Sequence, residues 1–336
     1  MGKAKFGGRG RKRDLGLGSS THFILGSSAT RVEKDMVSVR AVRCLDVAVG
    51  NLEETAGFYG GIWGLSEVAR SSDARFFRGA AAYHHVLGLF KRDTPALLRI
   101  IFDAADRATV DRLHAAVISA GIRAVEASRP LTRPGGGYGF GFKDPEGRNL
   151  AIVCDVADHA EARVEPDRPI KITHINLNSA AAREVSQFYI DTLGFRLSDE
   201  SELFFFLRCN SDHHSILLAK AKAPTLNHVA FEMADLDSVM RGAGRLKDNG
   251  YPIEWGPGRH GAGNNLFCYF AGPEELPIEY TTDVEQVDET YVARGPDFWK
   301  FPPGRTDRWG ITGSRSARLM RIQELYRFTD NFRIES

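Results

Sequence analysis

The fold of this sequence is decided by an apolar stretch that occurs twice, as ALLRIIFD at residues 96–103 and as TLNHVAFE at residues 225–232. Further pairs of similar segments lie at nearly the same spacing. They are 83–87 with 212–216, 138–145 with 266–273, and 149–152 with 277–280. A match that extends over several elements at one spacing indicates an internal repeat, so the chain is predicted to contain the same structural unit twice.

Each copy of the decisive stretch leads into a segment with helix signals. Asp106 and Asp235 suit the N-terminal turn of a helix, and a glycine follows each segment in the C-cap position. We therefore expect helices over residues 106–120 and 235–249.

Each half alternates apolar strands with Gly and Pro turns and is predicted to run β-α-β-β-(α)-β-β. Two such halves make an α+β chain. The expected divisions are a flexible basic extension (1–37), an N-terminal module (38–156), a linker near 156–168, a C-terminal module (168–283) and a C-terminal extension (284–336) that packs across the second module as a lid.

The charge balance argues against nucleic acid as a partner of the whole chain, since 44 Lys and Arg stand against 43 Asp and Glu. The basic, Gly-rich start is interpreted as a flexible tail. A nucleic-acid arm, or an extension upstream of a natural start at Met36, is the alternative. No apolar run reaches the roughly 18 to 20 residues that a membrane span needs. The four cysteines form no C-x-x-C motif, so we expect reduced thiols and a cytoplasmic protein.

The two halves differ at three positions that suit metal binding. His174, His228 and Glu279 lie in strand-like stretches of the second half. Two imidazoles and one carboxylate form a facial triad that leaves three adjacent positions open on Fe(II). The alternative is that they are ordinary strand histidines and a surface carboxylate. Their aligned counterparts in the first half are Asp46, Arg99 and Ala151, which favours one metal site, in the second half.

Five motifs give the second half a resemblance to a known family. They are THINLN (173–178), NSDHHS (210–215), LNHVAFE (226–232), GRHGAGNN (258–265) and IEY (278–280). Together they resemble the type I extradiol (catechol 2,3-) dioxygenases of the vicinal oxygen chelate superfamily. The resemblance covers roughly residues 38–283 and implies two tandem modules of paired βαβββ repeats, each an incomplete barrel around a cavity.

The resemblance also implies roles for four further residues. His214 would move protons as an acid and base. His213, its neighbour on the opposite face of the strand, is expected to be structural or to face solvent, with the reverse orientation of the pair as the alternative. Tyr269 would hydrogen-bond a substrate oxygen, His260 would orient the substrate, and Asn176 would lie near dioxygen. The alternatives are a core tyrosine, a loop histidine without a task, and a strand amide bonded to the backbone.

The implied activity is Fe(II)-dependent cleavage of a catechol by O2, with Mn(II) as an ion that the same ligands accept. Some members that act on catechol acids carry an arginine where this chain has Trp255, and Phe204 and Phe206 precede His214. A hydrophobic substrate such as 2,3-dihydroxybiphenyl is therefore expected, and the protein is expected to be a homo-oligomer.

Two other functions remain open from the sequence. One is a glyoxalase or epimerase of the same superfamily, which would need four protein ligands and a catalytic carboxylate. The other is a small-molecule-binding protein, which would need no metal.

Overall fold

The computed structural model describes residues 37–162, 165, 167–330 and 333–334. The predicted extension over residues 1–37 thus lies outside the described residues, apart from Val37. The described chain forms two eight-stranded mixed sheets with helices between the strands. This confirms the expected α+β class with tandem, unclosed modules. The exact module boundaries stay a prediction.

The first sheet has the strand order β2-β3-β4-β1-β5-β8-β7-β6. Only β1/β4 and β5/β8 are parallel pairs among these neighbours. The strands are β1 (Ala41–Val49), β2 (Ser66–Arg70), β3 (Ala74–Arg78), β4 (Leu87–Lys91), β5 (Ala96–Asp103), β6 (Arg129–Pro130), β7 (Tyr138–Lys143) and β8 (Asn149–Cys154).

The second sheet repeats this topology in the order β10-β11-β12-β9-β13-β16-β15-β14, with β9/β12 and β13/β16 as its parallel pairs. Both orders have two end strands, so neither sheet closes. The strands are β9 (Ile172–Ser179), β10 (Arg196–Glu200), β11 (Phe204–Arg208), β12 (Ile216–Lys220), β13 (Leu226–Glu232), β14 (Trp255–Arg259), β15 (Leu266–Ala271) and β16 (Pro277–Thr282).

The two predicted helices are confirmed to within one residue at each end. The side chains of Asp106 and Asp235 cap them by accepting hydrogen bonds from the backbone N–H three residues on. The helices are α1 (Leu52–Gly57), α2 (Arg107–Ser119), α3 (Ala182–Leu193), α4 (Leu236–Asp248) and α5 (Ala317–Ile322), with a π-helical turn at Phe58–Trp63 and a 3-10 turn at Pro273–Glu275.

Aromatic side chains from the helical segments of each half also contact the sheet of the other half. Trp63, at the end of the π-helical turn, stacks on Tyr280 of β16 with 3.8 Å between ring centroids. In return, Tyr189 of α3 packs edge-on against Phe102 of β5. Since these aromatic side chains are almost completely buried, the two sheets share one apolar core.

The C-terminal extension contacts both halves. Its first part, up to Gln323, runs along the second sheet and lines a cavity there. Beyond it the backbone of Leu97 in β5 exchanges hydrogen bonds with Arg327 and Thr329, and Ile334 is buried against the first sheet. The extension thus lies along the second half, where it was predicted to pack, and its end also contacts the first half, which was not predicted. None of the helices in the described ranges has the length and apolar character to span a membrane.

Candidate metal centre and active site

Three neighbouring strands carry the predicted metal ligands. β13 lies between β9 and β16, and its Ala230 pairs with His174 on one side and Glu279 on the other. His228 precedes Ala230 by two positions, so its side chain points to the same face of the sheet. Strand pairing thus brings together three residues that are far apart in the sequence.

The three ligand atoms form a compact triangle. Nε2 of His174 lies 3.2 Å from Nε2 of His228, and Oε2 of Glu279 lies 3.4 Å from the first and 3.1 Å from the second. Bonds of about 2.1 Å at right angles would separate the ligand atoms by about 3 Å. The residues therefore fit a single metal ion held through one face of an octahedron.

The state of Glu279 supports the same fit. The side chain is fully buried, and neither carboxylate oxygen accepts a well-formed hydrogen bond from the described part of the chain. Burial raises the pKa of Glu279, but the imidazoles of His174 and His228 lower it more, so the pKa lies well below its usual value. A buried, ionised carboxylate without hydrogen bonds needs a positive charge beside it. A metal ion would supply that charge.

The chain also sets the tautomer of one ligand. Nδ1 of His228 lies 2.9 Å from Oδ1 of Asn227, and an amide oxygen can only accept. Nδ1 therefore carries the proton and Nε2 keeps its lone pair for a metal. Asn227 is itself held by Asn178 and by Gln323 at 2.9 and 2.8 Å. Sequence reasoning missed Asn227, although it adjoins His228, and had no signal for Gln323.

His213 and His214 lie in the loop before β12, not on a strand as expected. The His214 ring lies 4.4 Å from the His174 ring and lines the cavity. His213 turns away, is fully buried and places Nε2 2.8 Å from Oδ2 of Asp199. His213 is thus not solvent-facing. Gly263, at φ +76°, leaves room for His214, since a Cβ there would lie 2.7 Å from its ring.

Tyr269 and His260 form one wall of the site. Tyr269 pairs with Glu279 across β15 and β16, and its hydroxyl lies 3.2 Å from Nε2 of His260. Burial lowers the pKa of His260 to about 4, so the imidazole is neutral near pH 7. Burial and the charge of Glu279 raise the pKa of Tyr269 well above its usual value. The phenol therefore keeps its proton.

Asn176 pairs with His228 across β9 and β13, and its buried Oδ1 accepts no hydrogen bond from the described residues. It opens onto a cavity of about 530 Å³ that also holds both histidine ligands, His214, His260 and Tyr269. The structure thus brings every predicted site residue to one place. The catalytic roles assigned to them stay predictions.

The extension was expected to cover the second module, but its individual residues in the cavity wall were not predicted, because the extension has no counterpart in the repeat. Its contributions are Phe298, Trp299, Lys300, Phe301, Thr306, Arg308, Arg315 and Gln323. His174, Asn176 and His228 of the second sheet line the same cavity, with Glu279 buried next to the two histidines. The extension therefore supplies much of the surface that the outer part of a ligand would contact.

One aligned pair from the sequence is wrong by two residues. Asp46 pairs with Arg99 across β1 and β5, whereas the residue that pairs with His228 is Asn176. Asp46 therefore corresponds to Asn176, and the counterpart of His174 is Cys44. A shift by two keeps every side chain on the same face of a strand, so apolar alternation could not reveal it. The counterparts of the triad are Cys44, Arg99 and Ala151, and the first half still lacks it.

The second sheet matches the model of the Glyoxalase/Bleomycin resistance protein/Dioxygenase superfamily over residues 171–280. Metapyrocatechase 2 of Cupriavidus necator is 33% identical over 157 residues, which are 46% of this chain and 47% of the relative, so that match spans about half of the relative's length. Biphenyl-2,3-diol 1,2-dioxygenase of Metapseudomonas furukawaii is 24% identical over 78% of this chain and 93% of its own.

Among solved structures, the Mn(II)-bound glyoxalase from Novosphingobium aromaticivorans is 38% identical and superposes with a TM-score of 0.78, over 84% of this chain and 94% of its own. The resemblance to extradiol dioxygenases is confirmed by the named relatives. On the family match and this similarity over nearly the whole structure, the chain belongs to the glyoxalase/bleomycin resistance protein/dioxygenase superfamily.

Proposed function

We propose that this protein is an extradiol dioxygenase that uses Fe(II), or Mn(II) in its place, to open the ring of a hydrophobic substituted catechol with O2 beside its two hydroxyls. The observation that carries the proposal is the triangle of His174, His228 and Glu279 beside a cavity that both histidines line. Three protein ligands leave room for a bidentate catechol and O2. When bound, the ion would supply the oxygen chemistry.

The chain prepares His214 to accept a proton. His213 donates from Nε2 to Asp199, which leaves its Nδ1 as an acceptor for Nδ1–H of His214, 3.1 Å away. Nε2 of His214 then carries a lone pair, and no hydrogen bond from the described residues engages it. Burial and the neighbouring histidines lower the pKa of His214 well below its usual value, so it is neutral at pH 7. It would take the catechol proton and return it later.

Tyr269 and Asn176 would orient the reactants. Tyr269 contacts His260 through its hydroxyl and packs against the ring of the metal ligand His228. From this place the protonated hydroxyl can donate to a substrate oxygen. The unpaired Oδ1 of Asn176 belongs to an amide whose NH2 can also point into the cavity. Aromatic side chains around them would exclude water from the reacting atoms.

The cavity supports a hydrophobic substituent on the catechol. Phe204, Phe206, Leu217, Trp255 and Trp299 all contribute to its lining. A second aromatic ring would bury apolar surface against them, which favours a biaryl diol such as 2,3-dihydroxybiphenyl. The cytoplasmic location and the homo-oligomeric state stay predictions.

A glyoxalase activity is the second candidate, since a relative of 38% identity carries that name. Such an activity calls for a fourth ligand and a catalytic carboxylate. In the described part of the chain, the group of ligand atoms at this site contains only His174, His228 and Glu279. His214 stands where the additional acid would be needed. Ring cleavage is therefore the better-supported activity.

The test is anaerobic purification with metal analysis, followed by two parallel assays. Uptake of O2 with 2,3-dihydroxybiphenyl and formation of a yellow product are expected, with about one metal ion per chain. Isomerisation of a thiohemiacetal without O2 uptake would instead establish the glyoxalase activity. A protein without metal that binds the diol unchanged would be a binding protein.

A further inference from the structure

Arg315 is a cation in the wall of the active-site cavity that pairs with no carboxylate of the described residues. Arg315 lines the cavity together with His228 and Tyr269. Nearby Arg318 and Arg321 both form ion pairs with Glu275, at 2.6 Å each. No carboxylate of the described residues lies within 4.0 Å of the Arg315 guanidinium, whose side-chain hydrogen bond goes to a neutral amide. Its charge is therefore available to a ligand.

A hydrogen-bonded chain fixes this cation relative to the metal ligands. Nη1 of Arg315 donates to Oε1 of Gln323 at 2.8 Å, and Nε2 of Gln323 donates to Oδ1 of Asn227 at 2.8 Å. The same oxygen accepts from Nδ1 of His228. The backbone carbonyl of Gln323 also accepts from Asn178 at 2.7 Å. Arg315 is thus tied to the floor of the site, although it is exposed to solvent.

The rest of the cavity wall leaves an excess of positive charge. Lys300 is paired with Asp297 at 2.6 Å, and Arg308 donates to the amide oxygen of Asn264 at 2.9 Å. Glu202 is the acidic side chain of the lining. An anionic group that enters the cavity would meet more cations than anions on the way to the metal ligands.

We propose that Arg315 binds a carboxylate on the substituent of the substrate. The inference rests on the proposed function for the catechol end and adds the class of the substituent: an apolar body that packs on the aromatic wall and ends in an anion. A planar guanidinium with two donor edges suits a carboxylate. The hydrophobic substrate was predicted from Trp255 and from two phenylalanines before His214. Arg315 lies in the extension, which did not enter that prediction.

The test measures binding rather than turnover. The metal-loaded enzyme is titrated without O2, so that no ring is opened, and the dissociation constants of matched ligands are compared. One pair is 2,3-dihydroxybiphenyl with a 4′-carboxylate or a 4′-carboxamide. The other pair is 3-(2,3-dihydroxyphenyl)propanoate with its amide. Its carboxylate lies at a different distance from the catechol ring. For at least one pair the carboxylate should bind about tenfold more tightly than the amide.

Variants then assign the preference to one side chain. Arg315→Gln should remove the tenfold preference and leave the affinity for the amide unchanged, while Arg315→Lys should keep part of it. The matched control is Arg321→Gln, which removes the same charge nearby from a side chain that pairs with Glu275 outside the cavity. The control should bind both ligands as the unmodified protein does. Melting temperatures check that every variant is folded.

The outcomes separate this inference from the proposed function. Equal binding of carboxylate and amide in both pairs, or a preference that survives in Arg315→Gln, overturns the anion site even if the enzyme opens the ring. A preference lost only in Arg315→Gln supports it even if no O2 is consumed, in which case the ring-cleavage proposal alone fails.

Discussion

Each half buries a carboxylate within its own eight-stranded sheet, Asp46 on β1 and Glu279 on β16, and the two charges are neutralised in different ways. In the first half, Asp46 is fully buried and lies 3.1 Å from Nε of Arg99 and 3.0 Å from Nη2 of Arg133. In the second half, Glu279 is equally buried, and its Oε2 lies 3.4 Å from Nε2 of His174 and 3.1 Å from Nε2 of His228. The first half neutralises its carboxylate with arginine side chains, whereas we propose that the second half does so with a bound metal ion.

The histidine pair shows what the scaffold alone determines. His84 and His85 bring their Nδ1 atoms to 2.9 Å, much as the corresponding His213 and His214 do at 3.1 Å. His85, however, turns Nε2 towards Nη2 of Arg133. The loop geometry therefore belongs to the repeat, whereas the proton-accepting role depends on what faces the inner imidazole.

The space beside these residues also differs between the two halves. Ile334 packs on Cys44, Ile101 and Ala151 of the first sheet, and Arg99 donates to the backbone carbonyl of Arg333. The end of the chain therefore fills the place that stays open as a cavity of about 530 Å³ in the second half. The comparison predicts different consequences for substitutions in the two halves. Substitutions at the triad of the second half should cause loss of metal, whereas substitutions in the first half should lower stability.

The largest effect is expected from the triad itself. His174→Ala, His228→Ala or Glu279→Ala should abolish metal retention and activity, because each removes one of three protein ligands. The fold should persist, since the sheet pairs through its backbone. Metal content per chain and circular dichroism provide the measurement. Stoichiometric metal with full activity in any of the three variants would show that the triad is wrongly assigned.

The next effect concerns proton transfer. His214→Phe should keep the metal and bind catechol, yet lower turnover by about 10² to 10⁴, the usual contribution of a positioned acid and base. Single-turnover kinetics should place the loss in the chemical steps, and small external acids should restore part of the rate.

His213→Phe is the control for this variant. Because His213 contacts the buried Asp199 rather than the cavity, the change should lower the melting temperature and reduce turnover by about tenfold at most. A larger loss of turnover in His213→Phe than in His214→Phe would reverse the assignment of the two histidines.

A third substitution tests the other side of the comparison. Asp46→Asn leaves the guanidinium groups of Arg99 and Arg133 buried without their carboxylate, which should lower the free energy of unfolding by about 3 to 5 kcal/mol. Metal content should not change, because the second sheet carries the ligands. Urea unfolding and metal analysis measure the two quantities separately. Loss of metal from Asp46→Asn, without unfolding, would contradict the division of roles.

Much of this arrangement could be predicted because the repeat supplies two samples of one pattern. The spacing located β5 with β13, and the helix caps at Asp106 and Asp235 located α2 and α4. The convergence of His228 and Glu279 followed from their register. Predictions that depended on strand periodicity alone were wrong in two places. The counterpart of His174 was placed at Asp46, two residues too far along, and His213 was expected on a strand although it lies in a loop.

The extension could not be predicted from the repeat, since it has no second copy for comparison. Its side chains reach the site through tertiary contacts of long range, such as the bond from Gln323 to Asn227. Neither the spacing of apolar residues nor a sequence motif can predict a contact between residues so far apart in the chain. The wall that meets the substituent, including Arg315, therefore became visible only in the structure.

The smallest effect is expected at Cys44, which occupies in the first half the position of the proposed metal ligand His174. Its thiol is fully buried beside Asp46 at 3.6 Å. Burial and the charge of Asp46 raise the pKa of the Cys44 thiol well above its usual value, so the sulfur stays protonated and is a poor metal ligand. Cys44→Ala should therefore keep metal content and turnover and cost only about 1 kcal/mol of stability through the lost packing. His174→Ala is its matched partner on the second sheet and should lose the metal; if both variants lost it, or both kept it, the two half-sites would not differ as their buried charges indicate.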